Sequence, residues 1–585
     1  MLLTSKEEAE LGELVRKSAL LNAVKHDGKA QPGAVIGKIL GEKPEYRDNV
    51  KKISTLINEV VQEVNSLPFE EQKRIAEEKW PEAFVKEKTE ERRLPPLPNA
   101  DKYSQVVTRY APNPDCVLHL GSARAIVLCH EYARMYKGKF ILRFEDTDPK
   151  LKRPVLEFYD LIRQDLAWLE CKPDKEYIQS DRIPIYYEHA EKLLKDGNAY
   201  VCTCEPEDFR KRILAQRSCD CRDLPVEENL QRWKRMFEGG YKAGEAVVRV
   251  KTDLDHPNPA VRDWPALRVL DTQKYPHPRV GSKYKVWPLY NLAAGVDDHL
   301  MGVTHIIRGK EHLTNEVRQT YMYKHLGWRY PEAIHYGRLK ITGASLSKSK
   351  IVQGMQEGVY KSWDDPRLAT FMALRRRGIQ PDAVKKMIKD VGPKTSDVIL
   401  SWENLYAYNR KILDPTADRY FFVQTPIELT VKQVPKSFDV KLNLHPDHPE
   451  RGFREYSVKP QGEDNHVTLW VSRKDIDESR VGTMLRLMEL FNVKIEKANV
   501  FSAEGVFVSE SYEDARKVKA QLIHWILIGK DMPCSVVMPD ATLTEGVAES
   551  ACRQLKPDGI IQFERFGFVR IDKNNAALTA YYAQK

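Results

Sequence analysis

Apolar positions in the first hundred residues follow the period of an α-helix. Between residues 53 and 64 they recur at helical spacing: Ile53, Leu56, Ile57, Val60, Val61 and Val64. This spacing puts them on one face of a helix. In "SLPFEEQKRIAEEKW", a proline followed by acidic residues indicates another helix start. The charge run "VKEKTEERR" then predicts a solvated helix tail, and "LPPLPNA" predicts a linker. We therefore expect a helical N-terminal domain over residues 1–95.

From residue 105 the pattern changes to strands that alternate with helices. "QVVTRYA" predicts a short strand, apolar positions from Ala123 to Ala133 predict a helix that Gly138 ends, and "KFILRFEDTDP" predicts another buried strand. Strand, helix and strand in this order indicate a βαβ unit of a parallel sheet. "GVTHIIRGKEH", near Gly302, begins a second such stretch. A polar, cysteine-bearing insertion separates the two, so we expect an α/β core built from two halves.

The last third of the chain has a third pattern. Helical periodicity returns over residues 355–415, and after Tyr420 short β-rich runs such as "YFFVQTPIELTV" and "HVTLWVS" follow one another. Spaced strands with turns between them predict antiparallel barrels or a sandwich. The sequence contains no repeat of fixed period and no low-complexity segment. The predicted fold class is multidomain α/β, with a helical N-terminal part and C-terminal antiparallel β-barrels.

Composition narrows the class of protein only a little. The 585 residues are 42% hydrophobic and 30% charged, with a formal net charge of +9, which permits a polyanionic partner without requiring one. No apolar run approaches the ~18 residues of a membrane span, and the N-terminus lacks a signal-peptide pattern. Nine cysteines in so long a chain do not form a disulfide framework. We expect a cytoplasmic protein that has no membrane partner.

Two short segments carry candidate chemistry. The sequence has neither common phosphate-binding fingerprint, G-x-x-x-x-G-K-[ST] or G-x-G-x-x-G after a strand. Instead, "LHLGSAR" places His119 and Gly121 at a predicted strand-to-helix turn, where ligands bind in open α/β folds and helix N–H groups favour phosphate. "SLSKSK" adds Lys348 and Lys350 on a loop. Taken singly, the first could be an ordinary half-buried ring and the second a solvated surface.

Together these segments are similar to the two signatures of class I aminoacyl-tRNA synthetases. "RYAPNPDCVLHLGSARA", "ILRFEDTDP", "WPLYNLAAGVDDHLMGVTHIIRGKEH" and "GRLKITGASLSKSK" resemble, in order, the blocks of glutamyl-tRNA synthetases, and the two ends of the chain resemble the archaeal type. The resemblance implies a Rossmann-type class I core in two halves, residues 101–200 and 286–350. It also implies an inserted tRNA acceptor-binding domain at 201–285, a helical connecting domain at 351–415 and anticodon-binding β-barrels at 416–585.

The resemblance implies a glutamate–tRNA ligase that activates L-glutamate with ATP and transfers it to the 3′ end of tRNA-Glu. Whether tRNA-Gln is a second acceptor stays open, and we expect a monomer. His119 and Lys348 are the implied catalytic residues, and Mg²⁺ would accompany ATP. The implied ATP-binding residues are His119, Gly121, Ser122, Ser347, Lys348 and Ser349. Ser122 and Ser345 replace a histidine and a lysine of the family pattern, which leaves their roles open.

Arg308, at the end of "THIIR", decides between glutamate and glutamine in this interpretation. A guanidinium matches a carboxylate with two parallel hydrogen bonds, whereas glutamine would leave its charge unpaired. An ion pair with Glu311 is the structural alternative. The resemblance assigns the rest of the amino-acid site to Arg109, Glu145, Tyr290 and Asn113. Two other functions remain: a glutaminyl-tRNA synthetase, and a catalytically silent RNA-binding paralogue.

Three further patterns are a cysteine cluster, an acidic turn and a group of aromatic and basic residues near the C-terminus. Cys202, Cys204, Cys219 and Cys221 form two C-x-C pairs fourteen residues apart, which suits a structural zinc site, with free reduced cysteines as the alternative. "EDTD" predicts a capped, solvated acidic turn at Asp146 and Asp148. Aromatic and basic residues of the last strands could stack anticodon bases but are more often core: Phe563, Arg565, Phe566 and Arg570.

Overall fold

The computed structural model describes residues 5–25, 28–42, 50–80, 94–344, 347–479 and 481–585. The chain divides into two compact units, residues 1–92 and 93–585. The described helices of the first unit are α1 (Ser5–Lys25), α2 (Pro32–Glu42), α3 (Val50–Ser66) and α4 (Phe69–Lys79). Ile53, Ile57, Val61 and Val64 of α3 are buried in its core, as the helical spacing predicts. The charge run at residues 85–93 lies outside the described residues.

The second unit starts with the predicted βαβ unit. Its elements are β1 (Val107–Tyr110), α5 (Leu120–Met135), β2 (Lys139–Phe144), α6 (Leu156–Trp168) and β3 (Lys175–Ile178), and the three strands pair in parallel. Gly138 follows α5 and donates its N–H to Ala133 O at 2.7 Å. A Cβ atom on Gly138 would lie 2.0 Å from Val106 O, so only glycine fits this return into β2.

An antiparallel four-stranded sheet separates the two halves of the core. It is formed by β4, β5, β6 and β7, in that order. The elements of this part and of the second half are α7 (Ile183–Lys195), β4 (Ala199–Cys202), α8 (Pro206–Leu214), α9 (Val226–Glu238), β5 (Val247–Val250), β6 (Pro265–Val269), β7 (Val286–Pro288), α10 (Tyr290–Leu300), β8 (His305–Gly309), α11 (Leu313–Leu326) and β9 (Glu332–Tyr336).

The second half of the core lies directly beside the first. Thr304, which precedes β8, donates its N–H to Val107 O of β1 at 3.0 Å, and β8 pairs in parallel with β9. On its other side β1 pairs with β2. Cys129 of α5 packs on both halves, because its thiol contacts Arg109 O at 3.3 Å and Ile307 O at 3.8 Å. The strand order therefore changes direction at β1, which has β2 on one side and the start of β8 on the other, and ligands bind at such a switch point in open α/β sheets.

A short helix joins this switch point to the C-terminal sheets. The next elements are β10 (Leu339–Ile341), α12 (Lys348–Gln356), α13 (Phe371–Arg377), α14 (Pro381–Val391), β11 (Val398–Leu400) and α15 (Trp402–Leu413). At the start of α13, Phe371 donates its N–H to Leu118 O at 3.1 Å. At its end, Arg377 Nη2 donates to Ala583 O at 3.1 Å. The β10–β11 parallel pair is an addition that helical periodicity did not predict.

Two curled seven-stranded sheets form the C-terminal part. Each contains four antiparallel and two parallel strand pairs, so the predicted barrel-like architecture is confirmed with a mixed pairing. The elements are β12 (Asp418–Tyr420), β13 (Phe422–Gln424), β14 (Pro426–Lys432), β15 (Phe438–Asn443), β16 (Phe453–Val458), β17 (Val467–Ser472), α16 (Arg473–Asp477), β18 (Met484–Leu487), β19 (Asn492–Ala498), β20 (Ser502–Ser509), α17 (Tyr512–Lys517), β21 (Gln521–Ile523), β22 (Ile526–Leu527), β23 (Asp531–Val537), β24 (Leu543–Glu549), β25 (Ile560–Phe563), β26 (Gly567–Asn574) and β27 (Leu578–Gln584).

The aromatic residues near β25 belong to the core. Phe563 is fully buried and stacks on Phe422 with ring centroids 5.0 Å apart, while Phe566 packs edge-on against the same ring. Arg565 pairs with Asp475 at 2.6 Å. These side chains therefore pack and pair within the protein, as the core interpretation predicts. Separately, the described helices include none that is long and apolar enough to cross a membrane.

His524, in the same part of the chain, makes stability depend on pH. Its Nε2–H donates to Phe422 O, and its Nδ1 faces Arg565 Nη1 at 3.4 Å. Burial, and then the charge of Arg565, lower the pKa of His524 from 6.5 to about 4. Between these values the unfolded chain takes up a proton that the folded protein does not. The stabilisation is therefore present above pH 6.5 and is lost as the pH falls from 6.5 toward 4.

We expect acidification from pH 7.5 to 5 to cost roughly 1–2 kcal/mol at this one position. Thermal unfolding followed by calorimetry at both pH values measures the loss. The variant His524→Gln should show a smaller difference between the two pH values than the wild type. The control, His448→Gln, removes an exposed histidine and should behave like the wild type. An unchanged pH dependence in His524→Gln would contradict the prediction.

Candidate active site

His119 caps the first turn of α5, directly below the switch point. Its Nδ1 accepts the Gly121 N–H at 3.0 Å, and the Ser122 N–H donates to His119 O at 2.7 Å. Burial lowers the pKa of His119, so the ring is neutral near pH 7. Since Nδ1 is an acceptor, the ring proton sits on Nε2 and is available as a donor. The turn thus offers a neutral N–H donor beside the N-terminus of a sixteen-residue helix, a site that suits phosphate.

The basic loop reaches the same turn through an ion pair. Lys348 is the first residue of α12, and its Nζ lies 2.7 Å from Asp115 Oδ2, four residues before His119. Ser347 caps α12 and Ser349 lies in its first turn. The structure therefore brings the two predicted segments together. Ser345, whose role the sequence left open, lies outside the described residues. Ser122 lies in the first turn of α5.

A buried charge network fills the space below the carboxyl ends of β1 and β2. Arg109 Nε donates to Asp298 Oδ1 at 3.0 Å, and Arg143 Nη1 donates to the same oxygen at 2.7 Å. Arg143 Nη2 continues to Glu145 at 2.8 Å. Burial raises the pKa of Asp298, but Arg109 and Arg143 outweigh it and hold that pKa at about 2. The network fixes the directions of Arg109 and Glu145, two of the predicted substrate residues.

Arg308, at the carboxyl end of β8, has different hydrogen-bond partners from Arg109 and Arg143. It is 5% exposed, and within the part of the chain that the structure describes it forms no ion pair. Its Nη2 donates to Tyr330 at 2.9 Å, and its Nη1 donates to Gln319 at 3.1 Å and lies 3.5 Å from the Tyr290 hydroxyl. The ion pair with Glu311 that served as the structural alternative is not formed. Arg308 is thus a buried cation whose hydrogen-bond partners are neutral side chains.

Two other predictions near this site have different outcomes. Asn113 donates to Lys152 O at 3.2 Å, and its buried Oδ1 has no partner, which leaves an acceptor open. The solvated acidic turn predicted for "EDTD" is wrong at Asp146, which is fully buried and accepts hydrogen bonds from Tyr159 and Ser180. Asp148 does cap the turn, as predicted, by accepting the N–H groups that follow it. Asp146 is misjudged because its partners lie far along the chain.

Sequence analysis missed several residues that shape the site. They are Asp115, Arg143, Asp298, Gln319 and Tyr330. Arg143 and Asp298 carry a visible signal, because each is a charge inside an otherwise apolar element, "KFILRF" or "YNLAAGVDDHL". A charge in such a place needs a buried partner. Gln319 and Tyr330 carry no comparable signal.

Family models of known proteins match most of the chain. The family model of the catalytic domain of "tRNA synthetases class I (E and Q)" matches residues 105–415, and two models of the anticodon-binding domain of these enzymes match residues 417–510 and 522–572. The chain belongs to this family. The class I core that the sequence resemblance implied is thereby confirmed.

Full-length relatives lead to the same family. The glutamate–tRNA ligase of Pyrococcus furiosus is 53% identical over 98% of this chain and 100% of its own length. That of Thermococcus kodakarensis is 53% identical over 96% of this chain and 97% of its own. The Caldivirga maquilingensis ligase is 45% identical, over 98% and 99%. These organisms are archaea, as the predicted archaeal type requires.

The synthetase insertion contains the four-cysteine cluster. All four sulfur atoms lie within 4.8 Å of one another, with Cys202 and Cys219 4.0 Å apart and Cys204 and Cys221 3.8 Å apart. Four thiolates at ~2.3 Å from one zinc would lie roughly 3.8 Å from each other. The cluster therefore fits a tetrahedral metal site. Arg232 Nη1, 3.3 Å from the Cys221 sulfur, supplies positive charge to the thiolates.

We expect the purified protein to contain about one zinc ion per chain. Elemental analysis after dialysis measures this content. Cys219→Ser should lose the metal, because one of four ligands is gone. Cys534→Ser, which changes a buried cysteine of the C-terminal sheets, should keep it. Active wild-type protein that is free of zinc would contradict the prediction.

Proposed function

We propose that this synthetase is a glutamate–tRNA ligase. The observation that carries the proposal is Arg308, a buried guanidinium at the carboxyl end of β8 whose partners are neutral side chains. A buried charge without a counter-charge is costly, so such a site favours a ligand that brings a carboxylate. The γ-carboxylate of L-glutamate supplies it, and the neutral amide of glutamine does not. The names of the archaeal relatives support the same substrate.

In the first step the α-carboxylate of glutamate attacks the α-phosphorus of ATP. A bond forms from the carboxylate oxygen to phosphorus, and the bond to the bridging oxygen breaks, which gives glutamyl-adenylate and pyrophosphate. His119 Nε2–H and the first N–H groups of α5 bind phosphate oxygens. Lys348 stabilises the negative charge that develops on pyrophosphate, since a fixed charge aimed at a developing anion lowers the barrier. Mg²⁺ accompanies ATP and offsets phosphate charge.

The remaining substrate residues hold the amino acid. Glu145 binds the α-ammonium, a task that requires a carboxylate, and Arg109 contacts the substrate carboxylates from its fixed position on Asp298. Tyr290 and Asn113 line the pocket with a hydroxyl and an open amide oxygen. In the second step a hydroxyl of the 3′-terminal adenosine of tRNA-Glu attacks the acyl carbon and releases AMP. The insertion with its cysteine cluster binds the acceptor end of the tRNA, and the protein acts in the cytoplasm.

A charging assay tests the proposal. Transcripts of tRNA-Glu and tRNA-Gln are each incubated with the protein, ATP, Mg²⁺ and labelled glutamate or glutamine. We expect glutamate on tRNA-Glu, and the tRNA-Gln arm decides whether a second acceptor exists. Esterification of glutamine would overturn the substrate in favour of a glutaminyl-tRNA synthetase. The absence of any esterified product would favour the catalytically silent paralogue.

Replacing Lys348 by alanine should lower kcat for the exchange of pyrophosphate into ATP by about 10²–10³-fold. The KM for glutamate should stay within twofold, because the lysine acts on the phosphate side of the reaction. Lys340→Ala is the control, since this exposed lysine of β10 pairs with Asp397. A Lys348→Ala enzyme with wild-type kcat would remove this lysine from the mechanism.

A further inference from the structure

The way in which Arg308 is held differs from that of its neighbouring arginines. Arg109 and Arg143 both pair with the carboxylate of Asp298. Arg308 instead donates to the side-chain oxygen of Gln319 and to the hydroxyl of Tyr330. Its Nε is buried and has no hydrogen-bond partner among the residues that the structure describes. One pocket thus contains arginines whose charge is neutralised internally and an arginine whose charge is not.

The charge of Arg308 affects the pKa of titratable side chains in the pocket, among them those of His312, Glu316 and His335. Burial, and then Arg308, lower the pKa of His335 to about 4, and the same two causes lead the lowering of the His312 pKa to about 4. Both rings are therefore neutral near pH 7. Burial raises the pKa of Glu316, one turn before Gln319, and the charge of Arg308 offsets part of that rise. The carboxylate of Glu316 contacts His335 at 3.4 Å and forms no ion pair with Arg308. The positive charge of Arg308 stays available for a ligand.

Gln319 is the group that fixes Arg308 without neutralising it. The side chain lies on α11, is fully buried, and accepts hydrogen bonds both from Arg308 Nη1 and from the Tyr330 hydroxyl at 2.9 Å. A guanidinium can only donate, so the oxygen of the amide must face it. Tyr330 in turn accepts from Arg308 Nη2, which closes a triangle of three side chains. Glutamate has the same shape as glutamine and would bind Arg308 at least as well.

We propose that Gln319 is a specificity-determining residue for glutamate over glutamine. Its neutral amide positions the guanidinium, and its lack of charge reserves that guanidinium for the substrate carboxylate. An acid at position 319 would take the place of the substrate's carboxylate as the counter-charge. This inference rests on the proposed function, in which Arg308 binds the γ-carboxylate of glutamate.

The test compares Gln319→Glu with Gln319→Met, which has similar length but neither charge nor a strong acceptor. KM and kcat are measured for glutamate, glutamine and ATP in tRNA charging. We expect Gln319→Glu to raise the KM for glutamate about 10–100-fold and to lower the preference for glutamate over glutamine by a similar factor. The KM for ATP should change less than twofold. Gln319→Met should change the KM for glutamate less than fivefold and leave the preference near that of the wild type.

Equal effects of the two substitutions would overturn the proposal, because a structural role does not depend on charge. If Gln319→Glu fails to fold, Gln319→Asp and Gln319→Asn make the same comparison with a shorter side chain, and only the acid should change the preference. In an Arg308→Ala background, Gln319→Glu should have no further effect on the KM for glutamate. A wild-type enzyme that does not charge glutamate would overturn the proposed function itself, and that result is read before any variant is compared.

Discussion

Replacing Arg308 by alanine lowers kcat/KM for glutamate by about 10³-fold, the scale expected when one member of a buried charge pair is removed. The loss has two parts. The substrate carboxylate loses a charge-assisted contact that can be bidentate, and it enters a buried pocket without a counter-charge. Glutamine loses much less, so the preference for glutamate falls toward unity. Charging assays with both amino acids measure the ratio directly.

The same substitution should not weaken the folded protein. Because Arg308 is buried and forms no ion pair with a described residue, its removal relieves a desolvation cost, and we expect an unchanged or raised Tm. Arg329→Ala is the matched control: this exposed arginine pairs with Glu332 beside the site and should leave kcat/KM within twofold. A wild-type kcat/KM in Arg308→Ala would contradict its role in binding glutamate.

Replacing Asp298 by alanine should cost about 3–5 kcal/mol of folding free energy, because buried Arg109 then loses its carboxylate partner and buried Arg143 loses one of its two, Asp298 and Glu145. Asp298 is almost fully buried, so water cannot take over its role. At roughly 2–4 °C per kcal/mol, the Tm of the catalytic core should fall by about 10 °C. Calorimetry of the variant and the wild type measures the difference in Tm.

The control for this prediction is Glu455→Ala. Glu455 forms an exposed ion pair with Lys441, and exposed pairs contribute about 0–1 kcal/mol. The two variants therefore separate the effect of burial from that of losing an ion pair. A Tm for Asp298→Ala close to the wild-type value would show that the two arginines find other partners.

The sequence predicts the parts of this site that depend on local order. His119 follows a strand and begins a helix, and four cysteines in two C-x-C pairs can be read from spacing alone. Relations between distant residues are different. Arg109 finds Asp298 at a separation of 189 residues, and Asp146 is buried by Tyr159, Ser180 and the fold around them. Pairing between charges this far apart depends on tertiary packing, which periodicity does not report.

Strand pairing shows the same limit. Alternating short strands predict the C-terminal sheets, but two parallel pairs in each sheet join strands that are not neighbours in the chain. Helical periodicity after residue 355 predicts α13, α14 and α15, and it overlooks β11, which is only three residues long. So short an element owes its conformation to β10, its partner, rather than to its own pattern.

The placement of β8 beside β1 also bears on the order in which the ribosome makes the chain. Arg109 and the open edge of β1 are synthesised 189 residues before Asp298. At 5–20 residues per second that interval is roughly 10–40 s. Throughout it β1 has an unpaired edge, a surface prone to aggregation, and only near its end is the last strand of the inserted sheet, β7, synthesised. The inserted sheet is therefore synthesised completely before the second half of the catalytic core can pair with the first.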